Sequence, residues 1–361
     1  MSIGLLQRVC AGYRVPFFDT LAEILPGGLS LFAGDPRPDE MIDQSQKPVK
    51  AQLYHAENLH LFSGRYYFCI QRNVLSWLKQ ADPQALIMEA NMRYLSSPAA
   101  ARWMHRKGRP VIGWGLGTGL TGGPLLRRHL GMFDAMITYS SAGRQSYINA
   151  GFPAERIFTA CNAAVSRPVR PMPERLPDRY DGDPIVLYVG RLQKRKRLDL
   201  LMQACAAQPE GLRPRLWIIG DGPIRPELES AAADLYPRTE FFGALYGDEL
   251  TAHFDRADLF CLPGTGGLAL QQAMASGLPL IAAEADGTQA DLVRPGNGIQ
   301  VRPGDPEELT AAITKMLADP RKLRTMGTES FRIVRDEINL EAMAAVFGQA
   351  AAFTLESGLR R

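Results

Sequence analysis

Two clusters in the second half of the chain assemble residue types suited to holding a diphosphate. The first is Gly190-Arg191 with the basic run Lys194-Arg195-Lys196-Arg197 close behind. Arginine offers a planar fork to phosphate oxygens and lysine a compact charge. The second is Gly264-Thr265-Gly266-Gly267, which leads into a helical pattern starting at Leu268. Glycine-rich backbone entering a helix leaves N–H groups free at its positive end, a seat for phosphate or sugar hydroxyls. Between them stands Gly220-Asp221-Gly222-Pro223, where glycine permits a sharp turn and proline suits the first helical position. Plainer readings accompany each cluster. Four successive cations cannot all face one ligand, so a solvated surface accounts for Lys194, Arg195 and Arg197, and structural turns account for the glycines.

The first half offers a second set of candidates at strand ends. Gly12-Tyr13-Arg14-Val15-Pro16-Phe17-Phe18 follows the first strand and starts a helix. Tyr13 and Arg14 there would stand at the carboxyl edge of the sheet, where Arg14 can meet a phosphate; in the alternative the phenylalanines pack and Arg14 is solvated. Glu89-Ala90-Asn91 follows another strand, so Glu89 can take a proton from an acceptor hydroxyl or cap a helix, with Asn91 beside it. In Gly113-Trp114-Gly115-Leu116-Gly117-Thr118-Gly119 the glycines describe either a mobile loop whose Trp114 stacks on a sugar or a tight structural loop. The mixed basic and apolar runs Arg102–Lys107 and Pro124–Leu130 fit docking to an anionic membrane, or simply solvated helix faces.

Parallel sheets must position these residues, because short apolar runs alternate with helical patterns throughout. The first half reads as strands over Ile3–Gln7, Leu29–Phe32, Leu59–Phe62, Leu86–Glu89, Val111–Trp114, Ala135–Tyr139 and Ile157–Ala160. The second half repeats the pattern over Ile185–Val189, Leu216–Gly220, Glu240–Phe242, Leu259–Leu262, Leu280–Ala282 and Ile299–Val301. Proline and charge concentrate in between, as suits a linker. The division expected is an N-terminal Rossmann-like domain over 1–166, a linker over 167–183 and a C-terminal Rossmann-like domain over 184–338. Residues 339–361 should form a terminal helix that can pack back on the N-terminal domain. Two doubly wound α/β sheets place a cleft between the domains, with ligands at the carboxyl ends of the strands.

Composition narrows the function classes. A chain of 361 residues, 46% hydrophobic and 22% charged, is globular and long enough for two domains. A net charge of +3 makes no demand for a nucleic-acid partner. Five cysteines stand without short spacing, which fits a reducing cytoplasm better than a disulfide framework. No run approaches the ~20 consecutive apolar residues of a membrane span. The N-terminus reads as a first strand and not a signal peptide. The five histidines make no metal-ligand spacing and no Asp-x-Asp motif stands at a strand end, so a metal-independent reaction is expected.

Taken in order, the pieces between Tyr188 and Pro306 resemble the donor half of the retaining glycosyltransferases of family four. Tyr13-Arg14-Val15-Pro16-Phe17 resembles the opening of bacterial enzymes that build cell-surface polysaccharides. Members of that family carry two glutamates separated by seven residues, in a context like Glu-Gly-Phe-Gly-Leu and Glu-Ala-Met-Ala. Laying Gln272-Ala273-Met274-Ala275 on the second half puts Gly264 and Gln272 where the two glutamates stand, so both are replaced.

The resemblance implies a GT-B fold. It implies transfer of a sugar from a nucleotide-sugar co-substrate, without a further cofactor, to an acceptor hydroxyl with the anomeric configuration kept. The acceptor implied is a bacterial surface oligosaccharide, lipid-linked at the inner face of the membrane. Arg191 and Lys196 would neutralise the leaving diphosphate, with Glu89 a third catalytic candidate. Gly190, Gly222, Gly264, Thr265, Gly266, Gly267, Leu268 and Gln272 would bind the donor, Gln272 at the ribose. Tyr13, Arg14, Asn91 and Trp114 would stand on the acceptor side. Two alternatives stay open: a GT-B scaffold that binds nucleotide without catalysis, for which the two replaced glutamates argue, and a sugar-nucleotide epimerase.

Overall fold

A computed structural model of the chain describes residues 2–40, 42–119 and 123–358. Residues 1, 41 and 120–122 of the expected N-terminal domain, and 359–361 of the terminal segment, lie outside the described residues. The chain forms two compact units, Met1–Ala164 together with Leu340–Arg361, and Val165–Asn339.

The first unit contains β1 (Ile3–Val9), β2 (Leu29–Gly34), β3 (Gln52–Leu61), β4 (Phe68–Arg72), β5 (Ala85–Glu89), β6 (Val111–Gly115), β7 (Ala135–Thr138) and β8 (Ile157–Thr159). They form one sheet in the order β4-β3-β2-β1-β5-β6-β7-β8. Every pair is parallel except β3–β4. Strand order reverses at β1 and β5, and the loops leaving such a switch point diverge and open a crevice at the carboxyl ends.

Helices cover both faces. On one, Phe17, Phe18 and Leu21 from the helix Val15–Ile24 meet Met343, Ala344 and Phe347 from the terminal helix Leu340–Glu356 over β1, β5 and β6. On the other, Trp77, Met104, Leu126 and Phe133 pack over Leu6, Leu86 and Met88. Burying each such side chain is worth about 1.5–3 kcal/mol. The stretch Pro320–Glu356 is long and apolar enough to cross a membrane, and half of its most apolar window is buried inside the protein.

The second unit holds β9 (Ile185–Val189), β10 (Arg215–Ile219), β11 (Thr239–Gly243), β12 (Leu259–Leu262), β13 (Leu280–Ala283) and β14 (Gly298–Val301). All pairs are parallel, in the order β11-β10-β9-β12-β13-β14. Here the order reverses at β9 and β12, adjacent strands whose carboxyl ends lead into Gly190-Arg191 and Gly264–Gly267. Topology thus brings the two glycine- and cation-bearing loops side by side.

The proline-rich segment 167–183 is anchored on this second unit. Arg170 forms a two-pronged ion pair with Asp255 at 2.7 Å. Arg175 donates to the carbonyls of Phe254, Ala257 and Ser276, each at 2.9 Å. Those carbonyls close the helices Gly247–Arg256 and Leu268–Ala275, where a cation satisfies free acceptors and the negative helix end together. Tyr180 donates to the Leu317 carbonyl at 2.8 Å.

Four elements differ from the sequence reading. The strand expected at Leu59–Phe62 begins at Gln52, and Phe62 leaves it with φ 58°. Its partner β4 and the helices Val74–Ala81 and Pro320–Asp336 went unread. β3 and β4 alternate polar with apolar residues at a sheet edge, so no continuous apolar run announces them.

Candidate functional site

In the second unit the chain leaves β9 through Gly190 and Arg191, buries Leu192, and makes a tight turn over Lys194–Lys196. Arg197 then takes the left-handed conformation (φ 53°) that starts the helix Leu198–Ala206. This turn directs the four cations differently. Lys196 points inward, is only 8% exposed, and donates its ammonium to the Thr265 carbonyl. Arg195 donates from Nη1 to Thr265 Oγ1 at 3.0 Å, while its own carbonyl accepts the Thr265 N–H at 3.2 Å. Arg197 turns to Asp199 at 3.1 Å. Lys194 is exposed.

Lys196 forms no ion pair among the described residues. Burial, with the Arg195 charge beside it, lowers its pKa to about 8. A desolvated ammonium held by one carbonyl still has two N–H bonds to direct at an anion.

The glycine loop fits around this lysine. A Cβ at Gly264 would run into the Arg195 carbonyl and lie 2.7 Å from the Lys196 Cα. Gly266 stands at φ 135°, and a Cβ there would strike the Lys196 ammonium. The Gly266 carbonyl is held by Gln289 Nε2 at 2.9 Å. Gly267 starts the helix Leu268–Ala275 with no side-chain cap; its carbonyl accepts the Leu270 N–H at 3.1 Å, and the N–H groups ahead of that bond are the ones an uncapped helix start offers to another partner. Thr265, Leu268 and Gln272 are exposed, the last two one turn apart on that helix. Gly190 and Gly222 serve close backbone packing: the Gly190 N–H bonds the Ile219 carbonyl at 2.9 Å, and a Cβ at Gly222 would strike the Leu192 carbonyl. Arg191 is half-buried, and its carbonyl accepts from Tyr188 Oη at 3.3 Å.

In the first unit Glu89 ends β5 at the switch point, where its carboxylate accepts the Arg8 N–H of β1 at 2.6 Å. Burial raises its pKa against the opposing pull of that N–H and of the Arg8 and Arg14 charges. A cavity of about 440 Å³ opens here, lined by Glu89, Asn91, Trp114, His129, Tyr139 and Tyr147 among others. Asn91 also closes a turn, accepting the Arg93 N–H at 3.0 Å. Burial lowers the His129 pKa.

Arg14 and Trp114 depart from the expectations. Arg14 is not a solvated rim residue: it is 7% exposed, with its guanidinium carbon 5.3–5.4 Å from the ring centroids of Tyr13, Trp114 and Tyr139. Tyr13 itself is half exposed. Trp114 closes the expected strand Val111–Trp114, and its place in the sheet excludes the alternative of a mobile loop in which it stacks on a sugar. It belongs to β6, is 1% exposed, and packs against Phe17, Tyr139 and Phe347 at centroid distances of 4.9–5.7 Å. Of the basic runs, Lys107 pairs with Asp82 and covers Trp103, and His105 faces Asp134. Arg102, Arg106, Arg127, Arg128 and Leu125 remain on the surface.

Sequence reasoning assigned Arg195 to a solvated surface and passed over Gln289, Tyr139 and Tyr147 as site residues. Arg195 was hidden in a run of four like charges. Tyr139 follows the last residue of β7, a strand-end position of the kind that singled out Glu89.

Two doubly wound α/β units of this kind define the GT-B architecture. Residues 183–319 match the family described as Glycosyl transferases group 1. The sulfoquinovosyl transferase SQD2 of Arabidopsis thaliana is 33% identical over 160 residues, 42% of this chain and 30% of that protein. A GDP-mannose-dependent phosphatidylinositol monomannoside mannosyltransferase of Mycolicibacterium smegmatis is 34% identical over 172 residues, 42% of this chain and 44% of the relative. The matched region therefore spans less than half the length of either relative. Among solved structures, the lipopolysaccharide outer core galactosyltransferase WaaB superposes with a TM-score of 0.72 at 18% identity, covering 98% of this chain and 99% of that one. Anabaena HepE in complex with UDP gives 0.69 at 17% identity over 98% and 99%.

Proposed function

We propose that this protein transfers a sugar from a nucleotide sugar to an acceptor hydroxyl. The observation that carries the reading is Lys196, a buried ammonium without a carboxylate partner. It is fixed on the Thr265 carbonyl beside an uncapped helix start. The diphosphate completes its charge, and Arg191 joins it as negative charge grows on the leaving group. Such preorganised charge acts on the transition state and is worth about 10²–10³ in rate for one donor.

Thr265, Gly266, Gly267 and Leu268 seat the β-phosphate or sugar, and Gln272 meets the ribose as a neutral amide. The cations at the diphosphate replace a metal. Anomeric configuration is retained, with the leaving phosphate taking the acceptor proton; Glu89 is the side-chain alternative on the acceptor side.

The acceptor is an oligosaccharide of a bacterial surface polymer, carried on lipid. The exposed Arg102, Arg106, Arg127, Arg128 and Leu125 give the N-terminal unit a face for anionic lipid headgroups, at the inner side of the membrane. UDP and UDP-glucose are bound by the structural neighbour HepE, and the mannosyl relatives are GDP-mannose-dependent by name.

Calorimetric titration with UDP and GDP, followed by turnover of UDP- and GDP-sugars with a lipid-linked acceptor, tests the proposal. Micromolar binding of one nucleoside diphosphate that disappears in Lys196→Ala supports it. Binding of neither removes the diphosphate site. Binding without turnover on any donor favours the non-catalytic scaffold.

A further inference from the structure

Among the buried donor nitrogens of the N-terminal unit that have no hydrogen-bond partner among the described residues, two belong to neighbouring side chains. Arg14 Nη1 is buried and unpaired, and so is Trp114 Nε1. The two side chains are stacked, with the guanidinium carbon 5.4 Å from the indole centroid, and Trp114 lines the 440 Å³ cavity with Glu89 and Tyr139. Leaving such groups unsatisfied in the interior costs free energy, most of all for a charged one. Arg14 forms no ion pair among the described residues. Glu89 feels its charge, yet that carboxylate already accepts the Arg8 N–H.

What completes this arrangement must bring acceptor oxygens, and it must bring negative charge. A neutral sugar supplies the oxygens but leaves the guanidinium uncompensated inside an aromatic box. A carboxylate or phosphate supplies both, in the planar or forked geometry a guanidinium prefers. Three rings around Arg14 hold it in place, so little ordering remains to be done when the anion arrives.

We infer that the acceptor is an anionic saccharide, whose carboxylate or phosphate is bound by Arg14 Nη1 and Trp114 Nε1 while its hydroxyls occupy the cavity beside Glu89. This rests on the proposed transfer reaction for the existence of an acceptor, and adds its charge class.

The test is calorimetry on the full chain saturated with UDP. The probes are methyl α-glucopyranoside, the corresponding methyl glucuronide, and methyl α-glucopyranoside 6-phosphate. At least one charged probe should bind about tenfold or more tightly than the neutral glycoside, as charge-assisted hydrogen bonds predict. The two charged arms separate a uronic acid from a sugar phosphate. Arg14→Gln should erase the preference. Trp114→Phe keeps the ring packing and removes only the N–H, so it should weaken the charged probe about threefold or more and leave the neutral one as it was. Titrated without UDP, both the wild-type chain and Lys196→Ala should retain the preference, which distinguishes this site from the diphosphate site.

Equal affinity for neutral and charged probes, no binding of any probe, or an undiminished preference in Arg14→Gln or Trp114→Phe overturns the inference. UDP titrated alone into the wild-type chain reads the nucleotide proposal separately.

Discussion

Gly264 lies directly beneath the backbone of Lys196, close enough that a single added methyl group would overlap the preceding carbonyl. The contact ties the loop after β9 to the loop after β12, and Arg195–Thr265 and Lys196–Thr265 hydrogen bonds reinforce it. A glutamate side chain at position 264 would need this packing to open. The glycine at position 264 and the inward position of Lys196 are therefore one structural fact.

Gly264→Ala should accordingly push the two loops apart. We expect a loss of about 1–3 kcal/mol of stability, in the range of overpacked interior sites, and at least a tenfold weaker affinity for UDP or GDP. Chemical denaturation and calorimetry measure the two effects. Unchanged nucleotide affinity would show that the contact does not set the position of Lys196.

Lys196 should trade stability against binding. Its folded pKa of about 8 lies below the ordinary lysine value of 10.5, so the unfolded chain holds more protons between those values. Stability contributed through this group therefore rises with pH from about 8 to 10.5, and its burial is a cost at neutral pH. Lys196→Met should raise stability at pH 7 by about 1–3 kcal/mol and abolish nucleoside diphosphate binding. In the wild type, affinity should weaken as pH rises above about 8, where the free ammonium loses its proton. A flat profile from pH 7 to 10 would exclude the ammonium as the binding form.

Most strands of both sheets were legible because parallel strands buried on both faces read as short apolar runs, such as Ile185–Val189 and Leu259–Leu262. Glycines and cations at the ends of those strands followed from topology alone. The destiny of single side chains did not. Whether Arg195 or Arg197 turned toward the glycine loop depended on the three-residue turn ending at a left-handed Arg197, and nothing in four consecutive cations announces such a turn. Trp114 was misplaced for a related reason. It was read at the end of the strand Val111–Trp114 with the surrounding glycines leaving a mobile loop open, whereas Gly113 is small because the Met136 side chain lies where its Cβ would be, and the indole faces Phe17 and Phe347.

The anchoring of segment 167–183 predicts a large effect from one arginine. Arg175 is largely buried, and burial lowers its pKa to about 10, with the Arg324 charge adding to the shift. Three helix-end carbonyls depend on it. Arg175→Ala should cost about 2–4 kcal/mol, since each acceptor loses a charged donor and stays buried. Thermal unfolding of the full chain reads the loss. A change below about 0.5 kcal/mol, the usual effect of a surface substitution, would mean that the segment is not held by this side chain.

Gln272 offers a test of the family resemblance at an exposed position, where a carboxylate can be restored without disturbing the core. If the amide stands at the donor ribose, Gln272→Glu converts neutral hydrogen bonds to the ribose hydroxyls into charge-assisted ones, roughly twice as strong. UDP or GDP should then bind about three- to tenfold more tightly, while the 2′,3′-dideoxy analogue gains nothing. Substitution on a helix surface leaves the fold intact, so the measurement reads recognition alone. Equal gains for both nucleotides, or no gain for either, would place the ribose elsewhere. Gln272 would then be a surface residue without bearing on donor binding.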